Sequence, residues 1–135
     1  MDSYILKLIE ENKKLKEQLR KSKNFKRGDV VYVQMRKQNI ETSSIEEYSR
    51  PYLIVSNNTG NYFSDIVLAC PLTSKLKKVA QPTHYRISYH DSVVLCEQIK
   101  TLNQDQINSN INYHLNDAEM KEIDKCLKIS LGMEE

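Results

Sequence analysis

Residues 66–72, with the sequence IVLACPL, make a continuous apolar run in the middle of the chain. A run of this length with β-branched residues predicts a strand that is buried on both faces. A turn cluster, NNTGN, precedes it at residues 57–61, and a polar loop that carries three lysines follows it at residues 75–81. We therefore expect the centre of the hydrophobic core at this strand.

Shorter β-branched and aromatic runs lie on both sides of it, which are VVYV at 30–33, YLIV at 52–55, YRI at 85–87 and SVVLC at 92–96. Together with the run at 66–72, they predict about five short strands at regular spacing. This pattern favours a small curled sheet or barrel over a parallel sheet with crossover helices. Residues 36–49 have no apolar periodicity, so we predict a loop there. The next strand is expected to start at Pro51, because proline is tolerated at a strand's first residue.

The N-terminal segment carries a heptad pattern, with Ile5, Asn12 and Leu19 at a positions and Leu8 and Leu15 at d positions. A single Asn at an a position favours a parallel dimer in fixed register. The same pattern also fits an amphipathic helix that packs against its own domain, and the sequence leaves both possibilities open. Residues 1–24 are therefore predicted to be a helical appendage, and residues 25–135 a barrel domain.

The C-terminal segment predicts a second amphipathic helix. Asn116 and Glu119 have the spacing of a capping box, and Met120, Ile123 and Leu127 then follow at helical spacing. The predicted fold class is therefore mainly β with helices: a small β-barrel with an added N-terminal coiled-coil-like helix and a C-terminal helix.

Composition limits the kinds of function that the chain can have. Its 135 residues are 39% hydrophobic and 28% charged, with a formal net charge of +2, which fits one globular domain. No apolar run approaches the ~18 residues of a transmembrane helix, so we expect a cytoplasmic protein without a membrane partner. The three cysteines are widely spaced and are interpreted as buried thiols. Phosphate-loop, zinc and serine-hydrolase motifs are missing, so we expect no metal and no cofactor.

Polar side chains gather at the ends of the predicted strands. They are Arg50, Thr73, Ser74, Glu97 and Gln98. Rigid strands that present an arginine, a hydroxyl and an amide to neighbouring loops could build a site for phosphate, because arginine binds phosphate bidentately and stays charged. The alternative is that Arg50 pairs with Glu46 or Glu47 and that Thr73 is a turn hydroxyl.

Six segments in order resemble the MazF/PemK toxin family. They are FKRGDVV (25–31), RPYLIVSN (50–57), VLACPLTS (67–74), QPTH (81–84), DSVVLCEQIKTL (91–102) and LKISLG (127–132). The resemblance implies an SH3-like barrel that forms a homodimer. It further implies the toxin of a type II toxin–antitoxin pair, a metal-independent, sequence-specific endoribonuclease that cleaves single-stranded RNA and is blocked by a cognate antitoxin.

The resemblance also assigns roles to individual residues. Arg50 and Thr73 match the family's catalytic pair, Glu97 and Gln98 match residues near the bound bases, and Gln81 and Pro82 lie on the loop that lines the RNA groove. The reaction would be a transesterification that leaves a 2′,3′-cyclic phosphate and a 5′-hydroxyl.

Arginine and threonine are poor general bases, so His84 or Glu97 is the candidate for that role. Ser74, Lys75, Lys77 and Lys78 directly follow Thr73 and could contact RNA phosphates, although the lysines fit a solvated loop equally well.

The chain departs from the family in its loop at residues 40–49, which contains no glycine where the family has a glycine-rich stretch. This departure leaves a second hypothesis open, a catalytically weak RNA- or protein-binding module organised by the N-terminal coiled coil. A third is that the N-terminal helix folds over the groove as a built-in inhibitor.

Overall fold

The computed structural model describes residues 2–23, 25–75 and 80–134. Three α-helices and seven strands follow one another along the chain. They are α1 (Ser3–Lys23), β1 (Asp29–Asn39), β2 (Ser44–Ile54), α2 (Asn58–Phe63), β3 (Ile66–Thr73), β4 (His84–Arg86), β5 (Val93–Leu95), β6 (Lys100–Asn103), β7 (Tyr113–His114) and α3 (Asp117–Ser130).

The strands form one antiparallel sheet in the order β4-β5-β3-β2-β1-β7, and β6 pairs with the first half of β3. An isolated bridge between Val33 and Ile107 then connects the segment after β6 to β1. The sheet therefore curls on itself, although the described strand pairs do not close it into a continuous ring. The predicted mainly β class with terminal helices is confirmed.

Residues 36–49 are not the loop that the sequence predicted. β1 and β2 pair from Val30–Leu53 to Asn39–Ser44 and extend as a two-stranded ribbon well beyond the core. The outer half of the ribbon is mostly exposed, so its side chains show no apolar alternation even though its backbone is fully paired. Pro51 accordingly lies inside β2. Its missing N–H is tolerated there because β3 pairs with β2 only from Tyr52 onward.

The turn cluster at residues 57–61 contains the short helix α2, which the sequence did not predict. Asn57 caps this helix by accepting a hydrogen bond from the Gly60 N–H at 2.7 Å. The C-terminal prediction is confirmed, because Asn116 and Glu119 form the expected capping box at the start of α3. The short strands β6 and β7 were also missed, since neither carries a distinctive apolar run.

Two hydrophobic clusters occupy the two faces of the sheet. The first, which we call the helix cluster, packs one face against α3 and includes Leu53, Leu72, Val94 and Ile123. The second, the barrel cluster, fills the inside of the curl with Val31, Val33, Tyr52, Ile54, Val67, Ala69, Leu102 and Ile107. Alternate residues of each strand therefore face α3 and the barrel interior in turn.

The three cysteines converge in the helix cluster, where all are free and buried as predicted. The neighbouring Cys70 and burial raise the pKa of Cys96. Burial and the neighbouring Cys96 raise the pKa of Cys126 to about 11. The Cys96 and Cys126 thiols are therefore protonated at neutral pH.

The described side chains of α1, which run to Leu15, belong to neither hydrophobic cluster. The apolar ones among them are exposed instead, with Leu15 at 56% of its accessible surface and Tyr4 at 66%. Across the described residues, no helix has the length and apolar character needed to cross a membrane.

Candidate active site

Strand register places Arg50 and Thr73 at one corner of the sheet. The last β2–β3 pair is Tyr52–Pro71, so Arg50 and Thr73 each lie two residues beyond the paired segment, on neighbouring strands. Alternate residues of a strand share a face, and Tyr52 and Ala69 belong to the barrel cluster, so the side chains of Arg50 and Thr73 also belong to the barrel face of the sheet. The two residues therefore lie at the same end of these strands, and their catalytic role stays a prediction.

Arg50 is half-buried, and its Cζ atom lies 6.0 Å from the centre of the Tyr52 ring, within the range of a cation–π contact. Among the described residues, no carboxylate lies within ion-pair distance of Arg50. Glu47, one of its two suggested partners, instead contacts Arg36 at 3.5 Å. The Tyr52 hydroxyl is buried and has no hydrogen-bond partner among the described residues. This corner therefore holds a guanidinium whose charge the described side chains do not neutralise.

Thr73 ends β3 opposite Val93 of β5, and its Oγ1 accepts a hydrogen bond from the backbone N–H of Lys75 at 3.3 Å. Because the oxygen is held as an acceptor, the hydroxyl proton remains available for donation to a ligand. The hydroxyl is thus both a turn hydroxyl and a positioned donor. Ser74 and Lys75 are exposed beside it, whereas Lys77 and Lys78 lie outside the described residues.

His84 and Glu97 form a second polar group on the sheet. His84 Nε2 lies 2.8 Å from Glu97 Oε1, and the Thr83 hydroxyl donates to Glu97 Oε2 at 3.0 Å. Burial by itself raises the pKa of Glu97, but the hydrogen bonds from His84, from its own backbone N–H and from Thr83 outweigh it and lower that pKa. Glu97 is therefore ionised at neutral pH, while the His84 side chain is only 1% exposed.

The structure places His84 on the strand next to the one that pairs with Thr73. Thr73 stands opposite Val93 of β5, and His84 stands opposite Leu95 of the same strand. Glu97 follows β5 in a turn. A general base must lie within about 3.2 Å of the proton that it takes, or one water away. The role of His84 or Glu97 as the general base stays a prediction.

The loop at Gln81 and Pro82 packs next to the His84–Glu97 pair. The Gln81 carbonyl accepts from the His84 N–H at 3.0 Å, and the Thr83 carbonyl accepts from the Cys96 N–H at 3.0 Å. Gln81 and Pro82 are exposed and Gln98 is half-buried. We call these polar residues the distal patch; they are Gln81, Pro82, Thr83, Glu97 and Gln98.

Arg86 is a site residue that sequence reasoning missed. It stands opposite Val93, which in turn stands opposite Thr73, so the three residues lie in one row across β3, β5 and β4. Its Nε lies 3.5 Å from Asp91 Oδ1, and the side chain is 41% exposed. Only the strand register could have revealed a second arginine in the row of Thr73, because Arg86 belongs to no recognisable motif.

In the described part of the chain, no three side chains of His, Cys, Asp or Glu come together in an arrangement that could hold a metal ion. The corner offers the chemistry of a guanidinium and a hydroxyl donor on one face of the sheet. Both groups suit a phosphodiester that gains negative charge as it reacts.

Comparison with known proteins identifies the family of the chain. Residues 26–131 match the family described as PemK-like, MazF-like toxin of type II toxin-antitoxin system. The chain belongs to this family. The match leaves out α1, which precedes it.

Individual relatives cover the same part of the chain. The endoribonuclease MazF of Staphylococcus saprophyticus is 36% identical over 116 residues, which are 81% of this chain and 92% of that protein. Among solved structures, an endoribonuclease from a mycobacterial species is 26% identical with a TM-score of 0.64 over 81% of this chain and 92% of its own.

A mycobacterial endoribonuclease in complex with its cognate antitoxin is 24% identical and has a TM-score of 0.66. The alignment covers 82% of this chain and 98% of that one. At this level of identity the likeness concerns the fold. The curled sheet and α3 of this MazF-like toxin are thus the shared part of the molecule.

Proposed function

We propose that this MazF-like toxin is an endoribonuclease that cuts single-stranded RNA at a short recognised sequence, without a metal ion. The observation that carries the proposal is the half-buried Arg50, which lies at the same end of the sheet as Thr73, two residues beyond the last β2–β3 pair, and has no carboxylate partner among the described residues. The Staphylococcus saprophyticus relative named endoribonuclease MazF supports the same activity.

The reaction is a transesterification within the RNA. The 2′-oxygen attacks the adjacent phosphorus as its proton leaves, the bond from phosphorus to the 5′-oxygen breaks, and the 5′-oxygen takes up a proton. The products are a 2′,3′-cyclic phosphate and a 5′-hydroxyl. No redox step occurs, so atoms and charge balance without a cofactor.

Arg50 serves this reaction because its charge persists at every physiological pH and its planar fork matches two phosphate oxygens. It stabilises the additional negative charge of the phosphorane, and its contact with the Tyr52 ring limits the directions in which it can point. Thr73 donates its hydroxyl proton to a non-bridging phosphate oxygen. The hydroxyl oxygen itself already accepts a hydrogen bond from the Lys75 N–H.

RNA binding extends from this corner in two directions. Ser74 and Lys75, together with Lys77 and Lys78, follow Thr73 and contact flanking phosphates. In the distal patch, Gln81, Pro82 and Gln98 contact the bases of the bound RNA. His84 or Glu97 is the candidate for the general base that takes the 2′-hydroxyl proton.

The partners follow from membership of a toxin–antitoxin family. A cognate antitoxin covers the RNA site, the toxin acts as a homodimer, and both proteins work in the cytoplasm. The RNA groove then contains side chains from both copies of the chain.

The test is cleavage of a long single-stranded RNA in EDTA by the purified protein, beside Arg50→Ala, Thr73→Ala and the control Lys125→Ala. Lys125 is an exposed cation on α3, where it contacts Glu122 at 3.1 Å, far from the proposed site. Mapping of the new 5′ ends identifies both the sequence and the chemistry.

We expect cuts at one short motif with 5′-hydroxyl ends, lost in the two site variants and kept in the Lys125 variant. Loss of activity in EDTA that added magnesium restores would disprove the metal-free reaction. A folded protein that binds RNA without cutting it would instead support the binding-module hypothesis.

A further inference from the structure

The helix α1 presents an apolar stripe to solvent. Ile5, Leu8 and Leu15 follow the a and d spacing of a heptad and are 47%, 43% and 56% exposed. Ile9 extends the stripe and is 41% exposed. A row of large apolar side chains this exposed is rare on a monomer unless it serves an interface. Within the described residues, the chain itself does not cover it.

We propose that α1 pairs with α1 of a second copy of this chain as a parallel, in-register, two-stranded coiled coil. The helix spans 21 residues, or three heptads, and its apolar a and d positions run from Ile5 to Leu19, after which Ser22 occupies the last d position. Such a seam is narrow and self-complementary, so a second identical helix fills it better than a flat protein surface does.

Asn12 selects the orientation and the register. It occupies the central a position and is exposed in the single chain. In a parallel, in-register pair the two Asn12 side chains meet and satisfy each other's hydrogen bonds, whereas any other alignment buries an amide against leucine or isoleucine. One polar layer in a short apolar seam therefore excludes the alternative pairings.

The flanking charges favour the same arrangement. In the heptad register, Glu11 is at a g position and Lys16 is at the following e position. A parallel pair places each g residue beside the next e residue of its partner, which gives two Glu–Lys contacts by symmetry. An antiparallel pair places e residues beside e residues and g residues beside g residues instead, so it does not form these Glu11–Lys16 contacts.

The connection to the barrel fits this geometry. α1 ends at Lys23, and Phe25 is already 1% exposed in the barrel cluster, so the two barrels of a parallel pair lie at the same end of the coil. Three heptads are marginally stable alone. The coil therefore acts together with a contact between barrels and raises the effective concentration of one barrel near the other.

Disulfide cross-linking of the full-length protein tests the proposal independently of any ribonuclease activity. The variants are Leu8→Cys and Leu15→Cys at d positions, with Glu10→Cys at the outward f position as the matched control. The native cysteines are all buried, so the wild-type protein sets the background. Mild oxidation is followed by non-reducing electrophoresis, and circular dichroism verifies that each variant is folded.

We expect both leucine variants to form covalent dimers and the Glu10 variant to remain monomeric on the gel, because only facing d positions come within the ~3.8 Å that Cβ atoms in a disulfide require. An antiparallel pair can bring at most one of residues 8 and 15 next to its own copy. Cross-linking of only one leucine variant, of neither, or of the Glu10 variant to the same extent overturns the proposal.

Discussion

Two half-buried arginines of this toxin have opposite surroundings. Arg27 is fully engaged: its Nε donates to the Val55 carbonyl at 2.9 Å, and its Nη2 contacts Asp124 of α3 at 2.5 Å. Arg50 contacts an aromatic ring and has no carboxylate partner among the described residues. The Arg27 guanidinium therefore connects the end of β2 to α3, whereas the Arg50 guanidinium remains available for a ligand.

The sequence does not distinguish the two residues. Each belongs to one of the short motifs that resemble the family, FKRGDVV at 25–31 and RPYLIVSN at 50–57. The two arginines differ in the partners that the fold brings to them. Asp124, the partner of Arg27, is 97 residues away in the chain and is brought close only by folding. Variants of the two arginines should therefore fail in different ways.

Arg50→Ala should have the largest effect on cleavage. Removing one preorganised donor to a developing charge costs about 10²–10³ in rate, and a fixed cation is worth at least as much. The free energy of unfolding should change little, since no described ion pair is lost. Single-turnover cleavage of a defined RNA measures the first quantity, and urea denaturation measures the second.

Arg27→Ala is the reciprocal variant. It removes charge-assisted hydrogen bonds to Val55 and Asp124, so the free energy of unfolding should fall by about 1–3 kcal/mol. Cleavage by the folded fraction should be retained. If Arg27→Ala abolished cleavage in fully folded protein, or if Arg50→Ala unfolded the chain, the distinction between the two arginines would be wrong.

Thr73→Val should give the next largest effect. Valine keeps the shape of threonine but removes the hydroxyl that donates to phosphate, and a hydrogen bond to a charged group is worth about 1.5–3 kcal/mol, or roughly ten- to hundredfold in rate. Thr73→Ser keeps the hydroxyl and should keep most of the activity. Equal rates for the valine and serine variants would show that Thr73 only ends the strand.

The sequence predicted local features better than features that depend on strand pairing. The Asn116–Glu119 cap could be predicted because it depends on four consecutive residues. Arg50 and Thr73 were assigned by the resemblance to the family, since their place at the strand ends left open a pairing of Arg50 with Glu46 or Glu47. Arg86 could not be found, since its place beside Thr73 depends on the pairing of β3 with β5 and of β5 with β4. The β1–β2 ribbon was hidden because neither of its faces is buried.

Glu119 extends the comparison to carboxylates. It is 7% exposed and accepts hydrogen bonds from the Tyr113 hydroxyl at 2.8 Å and from the Ser88 N–H at 3.0 Å. Burial raises its pKa, but these donors, with the Asn116 N–H, outweigh burial and lower it from the ordinary value of 4.5. The ionised form therefore stabilises the fold above pH 4.5, and this contribution is lost as the pH falls through the lowered pKa.

Glu119→Gln should accordingly reduce the free energy of unfolding at pH 7 by about 1–3 kcal/mol, because glutamine replaces a charged acceptor with a neutral one. The difference from the wild type should shrink in acid, where the wild-type carboxylate also becomes protonated. Urea denaturation at pH 7 and at pH 4 measures both. A stability difference that did not change with pH would mean that packing, and not ionisation, is what Glu119 contributes.

Deletion of residues 1–24 should have the smallest effect, and one that depends on concentration. The barrel and helix clusters contain none of the described side chains of α1, so the shortened chain should fold and cut RNA at the wild-type rate when the protein is concentrated. On dilution it should lose activity at a higher protein concentration than the wild type does, by about tenfold for each 1.4 kcal/mol that the coil contributes to dimerisation.

The matched variant Leu8→Asp, which keeps the helix but interrupts its apolar stripe, should behave in the same way. If α1 instead folded over the RNA site as a built-in inhibitor, deletion would speed cleavage at every concentration, and a cross-linked Leu8→Cys dimer would not be active.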